Sequence, residues 1–377
     1  MIIQSNRVYI DEKFIPAQVV LVDGKIERIQ DYNKETCDVD YGNNKIIPGL
    51  IEMHAHGYKG MDVNYSTYEG LKEWFADLPK EGVTSVFPTS STAKEEALLN
   101  SFKLIAQIMD EEPVGAVPQG IHVEGPQISF AFKGAHNPYL IREPDVEEMK
   151  KWNEIANNKI RLVTIAPEMD ENHELIKWCR SQGIHVTIGH TGAKYDECMK
   201  AYADGAESFT HTFNGMRGVH HREPGVAGAA LSNDNMYAEL ICDGVHVHFA
   251  VAKMVARCKG KDKLILVTDA VQIKGFEPGV YHFANKEWLE IGEDGCGRLK
   301  DGTLSGSSNK MINMVKNLVT KCDIDEVTAI NAATKNPATF LGLEGKGLIK
   351  ENYDADIIVI DDNYQVLQTY IAGKQML

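Results

Sequence analysis

Short apolar runs alternate with amphipathic segments through most of this chain. The runs lie between about residue 48 and residue 350 and include VTSVFPT, GIHVEGP, IRLVTIAPE, IHVTIGHT, ESFTHTFN, YAELICDGVHV and KLILVTDA. Segments of helical period separate them, and in EEALLNSFKLIAQIMDEE one face carries Leu98, Phe102, Ile105 and Met109. Repeated strand-then-helix units build a parallel sheet, and about eight of them in roughly 250 residues close into a barrel. The pattern therefore predicts an α/β fold with a (β/α)8 TIM-like barrel, and a doubly wound open sheet is the alternative.

Both ends of the chain carry a different pattern, made of short strand-like runs and turns. IIQSNRVYI, QVVLV and KIERI surround a turn at Asp23-Gly24, and DADIIVID and QVLQTYIAG flank a second turn at Asp362-Asn363. Runs of this length joined by such turns are typical of hairpins. We therefore expect a small β-sheet domain built from residues 1–47 and 351–377, with the barrel occupying residues 48–350.

The composition limits the classes of partner. The 377 residues include 39 Lys and Arg against 54 Asp and Glu, which gives a formal net charge of −15. An acidic chain without a basic run is a poor partner for nucleic acid or an anionic membrane surface. The N-terminal sequence has no signal-peptide pattern and no apolar stretch reaches about 18 residues, which predicts a cytoplasmic protein. The seven cysteines are odd in number and never spaced as CxxC, so we expect reduced thiols.

Titratable side chains follow directly after the predicted strands. They are Glu124, Glu168, His190, His211, Asp243 with His246, and Asp269. The carboxyl ends of barrel strands converge on one mouth, where the catalytic residues of barrel enzymes lie. These positions therefore predict one active site rather than separate packing residues.

Three of these residues form a set that suits a divalent metal. Glu124, His190 and His211 offer one carboxylate and two imidazoles, which fits Zn²⁺ or Fe²⁺ with open positions for water. His54 and His56 form an HxH pair after another strand-like run, and residues i and i+2 of a strand point to the same side. Taken singly, each histidine has a structural alternative, and Glu124 suits a helix cap. Taken together, the residues favour metal ligation.

Asp269 follows the most apolar run of the chain, LILV. An ionised carboxylate there is costly to desolvate unless it faces a metal or the water bound to it. Such an acid can take a proton from that water and later deliver it to a leaving group. The structural alternative is a hydrogen-bond anchor for the next loop.

A series of short motifs resembles one known family along nearly the whole chain. The motifs are HAHG at 54–57, HVEGP at 122–126, KGAHNP at 133–138, TIAPE at 164–168, GHTGA at 189–193, THTFNGM at 210–216, REPG at 222–225, DGVHVH at 243–248, LVTDA at 266–270, DGTLSGSS at 301–308 and NPATFLGL at 336–343. In this order they resemble the N-acetylglucosamine-6-phosphate deacetylase family of the amidohydrolase superfamily. HxH alone would indicate only the superfamily.

The resemblance implies a (β/α)8 barrel with a small β-sandwich from both termini, and it implies roles for individual residues. The counterparts of Glu124, His190 and His211 hold a catalytic divalent metal. The counterpart of Asp269 is the general acid and base, and that of His246 contacts the substrate and polarises its acetyl carbonyl. The implied substrate-binding positions are Ala135, His136, Asn214, Gly215, Arg222, His246, Leu304, Ser305 and Gly306.

The resemblance also implies cofactors and partners. The arginine of the REPG motif reaches the phosphate of a neighbouring subunit, so a homodimer in which Arg222 reaches the neighbouring site is implied. Family members that keep both histidines of HxH can hold a second metal, and Glu124 is placed to bridge the two. We therefore expect one or two divalent ions, with Zn or Fe preferred and Co or Mn also suited to the ligands.

The implied reaction is hydrolysis of N-acetylglucosamine 6-phosphate to glucosamine 6-phosphate and acetate. A metal depresses the pKa of bound water from 15.7 to about 7, and Asp269 would carry the water proton to the departing nitrogen. Two alternatives stay open. One is a deacetylase for the epimer, N-acetylgalactosamine 6-phosphate, and the other is a non-catalytic amidohydrolase-like scaffold, which the intact ligand set disfavours.

Overall fold

The computed structural model describes residues 1–283 and 286–377. In chain order its strands are β1 (Ile2–Ile10), β2 (Lys13–Val22), β3 (Lys25–Asp31), β4 (Val39–Asp40), β5 (Lys45–Pro48), β6 (Leu50–Ala55), β7 (Gly57–Tyr58), β8 (Met61–Asp62), β9 (Val83–Ser90), β10 (Val117–Pro118), β11 (Ile121–Glu124), β12 (Ile160–Ile165), β13 (His185–Ile188), β14 (Ser208–Phe209), β15 (Tyr237–Leu240), β16 (Leu264–Leu266), β17 (Gly279–Phe283), β18 (Lys286–Ile291), β19 (Cys296–Arg298), β20 (Leu304–Ser307), β21 (Ile357–Ile360), β22 (Val366–Ile371) and β23 (Lys374–Gln375). Its α-helices are α1 (Tyr68–Asp77), α2 (Glu95–Ile108), α3 (Val146–Ile155), α4 (Glu174–Ser181), α5 (Tyr195–Ala203), α6 (Gly225–Ser232), α7 (Phe249–Lys263), α8 (Met311–Thr320), α9 (Glu326–Ala333) and α10 (Lys335–Phe340).

Eight parallel strands form a nearly closed barrel. Their order is β6-β9-β11-β12-β13-β14-β15-β16, and the short strand β10 also pairs with β9. The first and last strands meet where Ala55 forms a parallel bridge with Ala270 and the Asp269 N–H donates to the His54 carbonyl at 3.0 Å. The predicted barrel is therefore confirmed, and the open sheet is excluded because its two edges would not meet.

The helices cover the outside of the barrel, so the strands are buried on both faces. Every residue of β9 is buried, as expected for a parallel strand with side chains in the barrel and under the helices. In α2, Leu98, Phe102 and Ile105 are buried, whereas Met109 lies just past the helix end and is partly buried. Each large apolar side chain buried in this way contributes about 1.5–3 kcal/mol. No helix in the described ranges is long and apolar enough to cross a membrane.

Both ends of the chain build a separate sheet beside the barrel. Its strand order is β23-β22-β21-β5-β1-β2-β3, with β4 paired to β1. Ile3, Val8, Ile46 and Tyr370 belong to its own apolar cluster. β5 is antiparallel to β21 with Pro48 opposite Ile357, and the barrel begins two residues later at Leu50. The division of the chain at residues 47/48 and 350/351 stays a prediction.

A four-stranded antiparallel sheet is inserted between β16 and α8. It has the order β17-β18-β19-β20 and packs around Val271, Ile273, Leu289 and Ile291. Its last strand reaches the barrel mouth, where Ser307 bridges Ala270. No run in the sequence pattern indicated this sheet, which we call the inserted sheet.

Candidate active site at the barrel mouth

A pocket of about 690 Å³ opens at the carboxyl ends of the barrel strands. It brings together most of the residues that the sequence analysis selected. Those that line it are His56, Glu124, Ala135, His136, His190, His211, Asn214, Gly215, His246, Asp269, Leu304, Ser305 and Gly306. His54 is fully buried and lies beside them. A cleft that gathers imidazoles and carboxylates from many strands is a default candidate for a catalytic site.

Glu124, His190 and His211 bring three potential ligand atoms to one point. Glu124 Oε1 lies 3.2 Å from His190 Nε2 and 2.9 Å from His211 Nε2, and the two Nε2 atoms are 3.1 Å apart. Metal–ligand bonds of about 2.0–2.2 Å place neighbouring ligand atoms roughly 2.9–3.4 Å apart. The spacing of the three atoms therefore fits a single divalent ion.

The hydrogen bonds of His190 leave a lone pair aimed at this point. Its Nδ1 lies 2.9 Å from the Phe132 carbonyl, which can only accept, so Nδ1 carries the proton. In the neutral ring Nε2 then carries the lone pair, and this atom faces the Glu124 carboxylate. Gly215 (φ +55°) allows this packing, because a side chain there would come within 2.7 Å of His190 Nδ1. Lone pairs that converge on a carboxylate suit a bound cation.

His54 and His56 extend the cluster on the other side of Glu124. Their Nε2 atoms are 3.2 Å apart, and His56 Nε2 lies 3.1 Å from Glu124 Oε2. Each ring is anchored through Nδ1, to Glu239 Oε2 for His54 and to the Thr89 carbonyl for His56, both at 3.0 Å. The Glu124 carboxylate thus lies between two pairs of imidazoles, which is the arrangement required for a bridging ligand.

The electrostatics of the cluster favour cations. Burial opposes protonation of His56, but Asp269 and Glu124 outweigh it and raise the pKa of His56 to about 9. Burial likewise opposes ionisation of Glu124, yet the imidazoles of His54 and His190 hold the pKa of this carboxyl well below its usual range. A field that holds protons on buried imidazoles also attracts a metal ion. The donor set and its charge therefore fit a divalent cation.

Asp269 faces the pocket beside the two histidines of the HxH motif. Its Oδ1 lies 3.2 Å from His56 Nε2 and 3.8 Å from His54 Nε2. Burial opposes ionisation, but His56 and His54 hold the pKa of the Asp269 carboxyl below its usual range. Asp269, His190 and His211 all have positive φ angles, of 47°, 46° and 26°. Backbone strain of this kind in residues other than glycine is concentrated at functional sites.

His246 lies in the pocket wall with its ring anchored on one side. Its Nδ1 is 2.7 Å from Asp243 Oδ2, and the side chains of both residues are almost fully buried. Within the described residues the His246 Nε2 has no hydrogen-bond partner. The atom is therefore available to a ligand in the pocket.

Arg222 and Glu168, which the sequence pattern selected, lie outside the pocket lining, and so does the barrel residue His122. Arg222 is exposed on a loop outside the pocket lining, where its backbone N–H donates to His220 Nδ1 at 3.3 Å. Glu168 accepts hydrogen bonds from Thr191 and the Gly192 N–H, so it shapes the loop after His190. His122 is fully buried in the barrel, with Nε2 2.9 Å from Thr164 Oγ1.

Some residues of the site escaped the sequence analysis. Glu239 supports the ring of His54 and also accepts the backbone N–H of His211 at 3.1 Å. A carboxylate inside the apolar run YAELIC was the available signal for it. Lys133, Trp288 and Lys300 also line the pocket. The last two come from the inserted sheet and its turns, which the sequence analysis did not identify.

Comparisons with known proteins identify the family of this chain. A model of the Amidohydrolase family matches residues 46–376. The chain is 35% identical over 365 residues to the N-acetylglucosamine-6-phosphate deacetylase of Bacillus subtilis (strain 168), covering 93% of this chain and 90% of the relative. It is 32% identical over 375 residues to the N-acetylgalactosamine-6-phosphate deacetylase of Escherichia coli O157:H7, covering 99% and 98%.

A solved structure shows a similar fold. It is a mutant of the N-acetyl-D-glucosamine-6-phosphate deacetylase of Mycobacterium smegmatis in complex with N-acetyl-D-glucosamine-6-phosphate. The TM-score is 0.94 at 29% identity, and the match covers 100% of this chain and 99% of the other.

Proposed function

The chain belongs to the amidohydrolase family, and on that premise we propose that it is a metal-dependent hydrolase that deacetylates N-acetylglucosamine 6-phosphate. The products are glucosamine 6-phosphate and acetate, released by cleavage of a linear amide bond. The observation that carries the proposal is the convergence of Glu124, His190 and His211 beside Asp269 in one pocket. Such a site has a place for a cation and a neighbouring carboxylate for proton transfer.

The residues proposed to hold the metal are Glu124, His190 and His211, with His54 and His56 available for a second ion. A divalent cation bound there would supply Lewis-acid chemistry and lower the pKa of a water molecule towards neutrality. The nitrogen and oxygen donors suit Zn or Fe best, and Co or Mn are also compatible. Elemental analysis of freshly purified protein identifies the ion and gives the number bound per chain.

Asp269 is the residue proposed to move the proton. Its carboxylate is held ionised by His56 and His54, so it can accept the proton of the attacking water at Oδ1. As the C–N bond breaks, the same carboxyl donates that proton to the departing nitrogen. One group thereby acts first as a base and then as an acid.

His246 is proposed to polarise the acetyl carbonyl from the pocket wall. Its Nε2 has no partner within the described residues, and its ring is fixed by Asp243. A fixed donor at this place stabilises negative charge that develops on the carbonyl oxygen. The sugar is proposed to contact His136, Asn214-Gly215 and Leu304–Gly306, which line the same pocket.

The phosphate is proposed to be bound by a pair of subunits. Arg222 lies outside the pocket of its own chain, on an exposed loop. Its guanidinium offers the planar donor fork that suits phosphate. We therefore propose a homodimer in which Arg222 of each subunit reaches the site of the other.

A deacetylase for the epimer, N-acetylgalactosamine 6-phosphate, is the second candidate. It is supported by the 32% identity to the Escherichia coli O157:H7 enzyme across 99% of this chain. The two substrates differ in the orientation of one hydroxyl group, so the same chemistry serves both. The ratio of kcat/KM values on the two sugars decides between them.

The proposal includes a cytoplasmic location. All seven cysteines are free thiols, and thiols persist in a reducing compartment. Fractionation of the source cells, with the protein recovered in the cytoplasmic fraction, is the expected result.

The function is tested by measuring the amine released from each sugar phosphate. Protein loaded with Zn²⁺ or Fe²⁺ should release amine from N-acetylglucosamine 6-phosphate, and removal of the metal with a chelator should abolish the release. Addition of the metal should restore it. If the reloaded protein releases amine from neither sugar phosphate, the proposed function is wrong.

A further inference from the structure

We propose that Asp243 and Cys296 are positioning residues that fix the protonation pattern and the orientation of the His246 ring. This inference rests on the proposed deacetylase function, in which His246 faces the acetyl carbonyl. Cys296 contacts Asp243, and Asp243 contacts His246, so the contacts run from the inserted sheet to the pocket wall. Cys296 lies on β19, and Asp243 follows β15.

Asp243 uses both carboxylate oxygens to hold its own loop. Oδ1 accepts the backbone N–H groups of Val245 and His246 at 2.9 and 2.8 Å, and Oδ2 lies 2.7 Å from His246 Nδ1. Gly244 makes the turn possible, because its φ is +82° and a side chain there would lie 2.6 Å from the Phe249 ring. The ring of His246 is therefore tied to the same carboxylate that shapes the turn before it.

This arrangement selects one protonation pattern for the ring. The Asp243 carboxylate can only accept hydrogen bonds, so His246 Nδ1 must carry a proton. The tautomer that is protonated on Nε2 alone would set a lone pair against Oδ2 and is excluded. Burial opposes a second proton on the ring, but the hydrogen bond and charge of Asp243 outweigh it and raise the pKa of His246, which favours a proton on Nε2 as well. The unpartnered Nε2 is consequently the donor presented to the pocket.

Cys296 contributes the third contact of the chain. Its Sγ lies 3.4 Å from Asp243 Oδ2 and 3.8 Å from His246 Nδ1, and the residue is fully buried. Burial and the nearby Asp243 raise the pKa of the Cys296 thiol, so it keeps its proton and donates to Oδ2. The inserted sheet thereby restrains the carboxylate that restrains His246.

Other charged groups surround the pair without replacing these contacts. Asp269 acts on His246 from the end of the last barrel strand, and Arg298 acts from β19. Arg298 is itself paired with Asp294 at 2.5 Å. Among the described side chains that carry a full charge, only Asp243 forms a hydrogen bond with the His246 ring.

Asp243→Asn gives a sharp test. The amide oxygen must stay on the two backbone N–H groups, so the amide NH₂ group replaces Oδ2 and donates to His246 Nδ1. The variant should therefore keep its fold, lose the proton on Nδ1 and hold a neutral ring that is protonated on Nε2 alone. The readout is the ¹⁵N NMR pattern of the His246 imidazole in zinc-loaded protein, assigned with His246→Gln.

The expected result is a protonated Nδ1 in the parent protein and an unprotonated Nδ1 in Asp243→Asn. We expect kcat to fall about 10²-fold and KM to change less than about threefold, because the neutral ring of the variant has lost the positive charge that faces the developing oxyanion. Glu290→Gln, an exposed position on β18 of the same sheet, should leave both the NMR pattern and kcat unchanged. An unprotonated Nδ1 in the parent, or an unchanged kcat in Asp243→Asn, overturns the proposal.

The thiol is tested by a pair of substitutions at one position. Cys296→Ser keeps a donor to Asp243 and should retain kcat within about twofold. Cys296→Ala removes it and should lower kcat about fivefold, which corresponds to roughly 1 kcal/mol for one hydrogen bond. If the two variants have equal kcat values, Cys296 is not a positioning residue for Asp243 and His246. If no variant and no parent protein releases amine, the proposed function fails, while the NMR pattern still tests the positioning.

Discussion

The chemistry of this site depends on where single ring nitrogens point. His54, His56 and His190 each give Nδ1 to a fixed oxygen and direct Nε2 towards Glu124. Because the anchors are a buried carboxylate and two backbone carbonyls, the rings are set before any ion arrives. The Glu124 carboxylate is then the common neighbour of all the donor atoms.

Asp269→Asn tests the proton-transfer role at the residue scale. The amide cannot accept and return a proton, so kcat should fall about 10²–10⁴-fold. Metal content should stay near that of the parent, since the proposed ligands are untouched. Steady-state amine release and elemental analysis of the same preparation measure both quantities. Asp301→Asn, on an exposed turn, is the matched control, and a kcat for Asp269→Asn equal to that of the control contradicts the role.

The strand-end residues of the site were predictable from sequence, whereas their supports were not. Glu124, His190, His211 and Asp269 follow apolar runs, and barrel geometry brings such positions together. The Phe132 and Thr89 carbonyls anchor rings through backbone atoms, which side-chain identity does not reveal. Glu239 was visible only as a charge inside an apolar strand.

At the scale of elements, the barrel followed from periodicity and the inserted sheet did not. The barrel strands and helix α2 coincide with the predicted runs and the predicted helical segment. The inserted sheet has short strands such as CGR and LSGS, with glycines and few apolar positions. Its own apolar cluster, which includes Ile273 and Leu289, is assembled from separate strands and turns, so no single local run of the sequence reveals it.

The turn between β1 and β2 connects the sheet built from both chain ends to three helices of the barrel. We call this connection the clamp. Glu12, in the turn between β1 and β2, forms one ion pair with Lys261 of α7 and another with Lys335 of α10. The distance from Glu12 Oε1 to Lys335 Nζ is 2.9 Å. It also accepts from Asn331 Nδ2 of α9 at 3.1 Å. Hydrogen bonds from Lys261 and Lys335 lower the pKa of Glu12 to about 2. The ion pairs thus connect parts of the chain that lie far apart in sequence.

Glu12→Gln should lower the free energy of unfolding by about 1–2 kcal/mol at pH 7, because two cations lose their charged partner. A carboxyl whose pKa is lower in the folded state stabilises the fold above its unfolded pKa of about 4.3. The difference between parent and variant should therefore shrink as the pH falls from about 4.3 towards 2. Urea unfolding at several pH values measures it.

Glu27→Gln is the control for this clamp. Glu27 lies in the same sheet and pairs only with its neighbour Arg28 among the described ion pairs, so its loss should cost less than about 0.5 kcal/mol at every pH. A Glu12→Gln cost that is equal to the control, or that grows as the pH falls, contradicts the clamp.

At the scale of the whole molecule, the fold leaves one predicted site residue outside its own pocket. Arg222 is exposed, while the pocket receives Lys133 and Lys300 from the same chain. The homodimer that we propose would bring a second Arg222 to each site. The sequence pattern alone does not indicate an assembly, because exposed loop arginines are common.

A mixture of two defective variants distinguishes a shared site from a separate one. Asp269→Asn should be inactive, and Arg222→Ala should raise the KM for the sugar phosphate because a phosphate-binding group is lost. In a hybrid of Asp269→Asn and Arg222→Ala subunits, a shared arrangement gives one site with both defects and one with neither. The hybrid should then show the parent KM for the sugar phosphate at about half the parent kcat. If Arg222 acts within its own chain, every active site in the hybrid has the raised KM of Arg222→Ala. If light scattering finds only monomers at assay concentration, the shared site is also excluded.

The central claim is that a cation lies among Glu124, His190 and His211. Anomalous X-ray diffraction from crystals of freshly purified protein, recorded above and below the metal absorption edge, tests it most directly. We predict a peak within about 2.0–2.2 Å of Glu124 Oε1, His190 Nε2 and His211 Nε2. Three side chains that diverge, with no anomalous peak among them after a metal soak, would contradict the account.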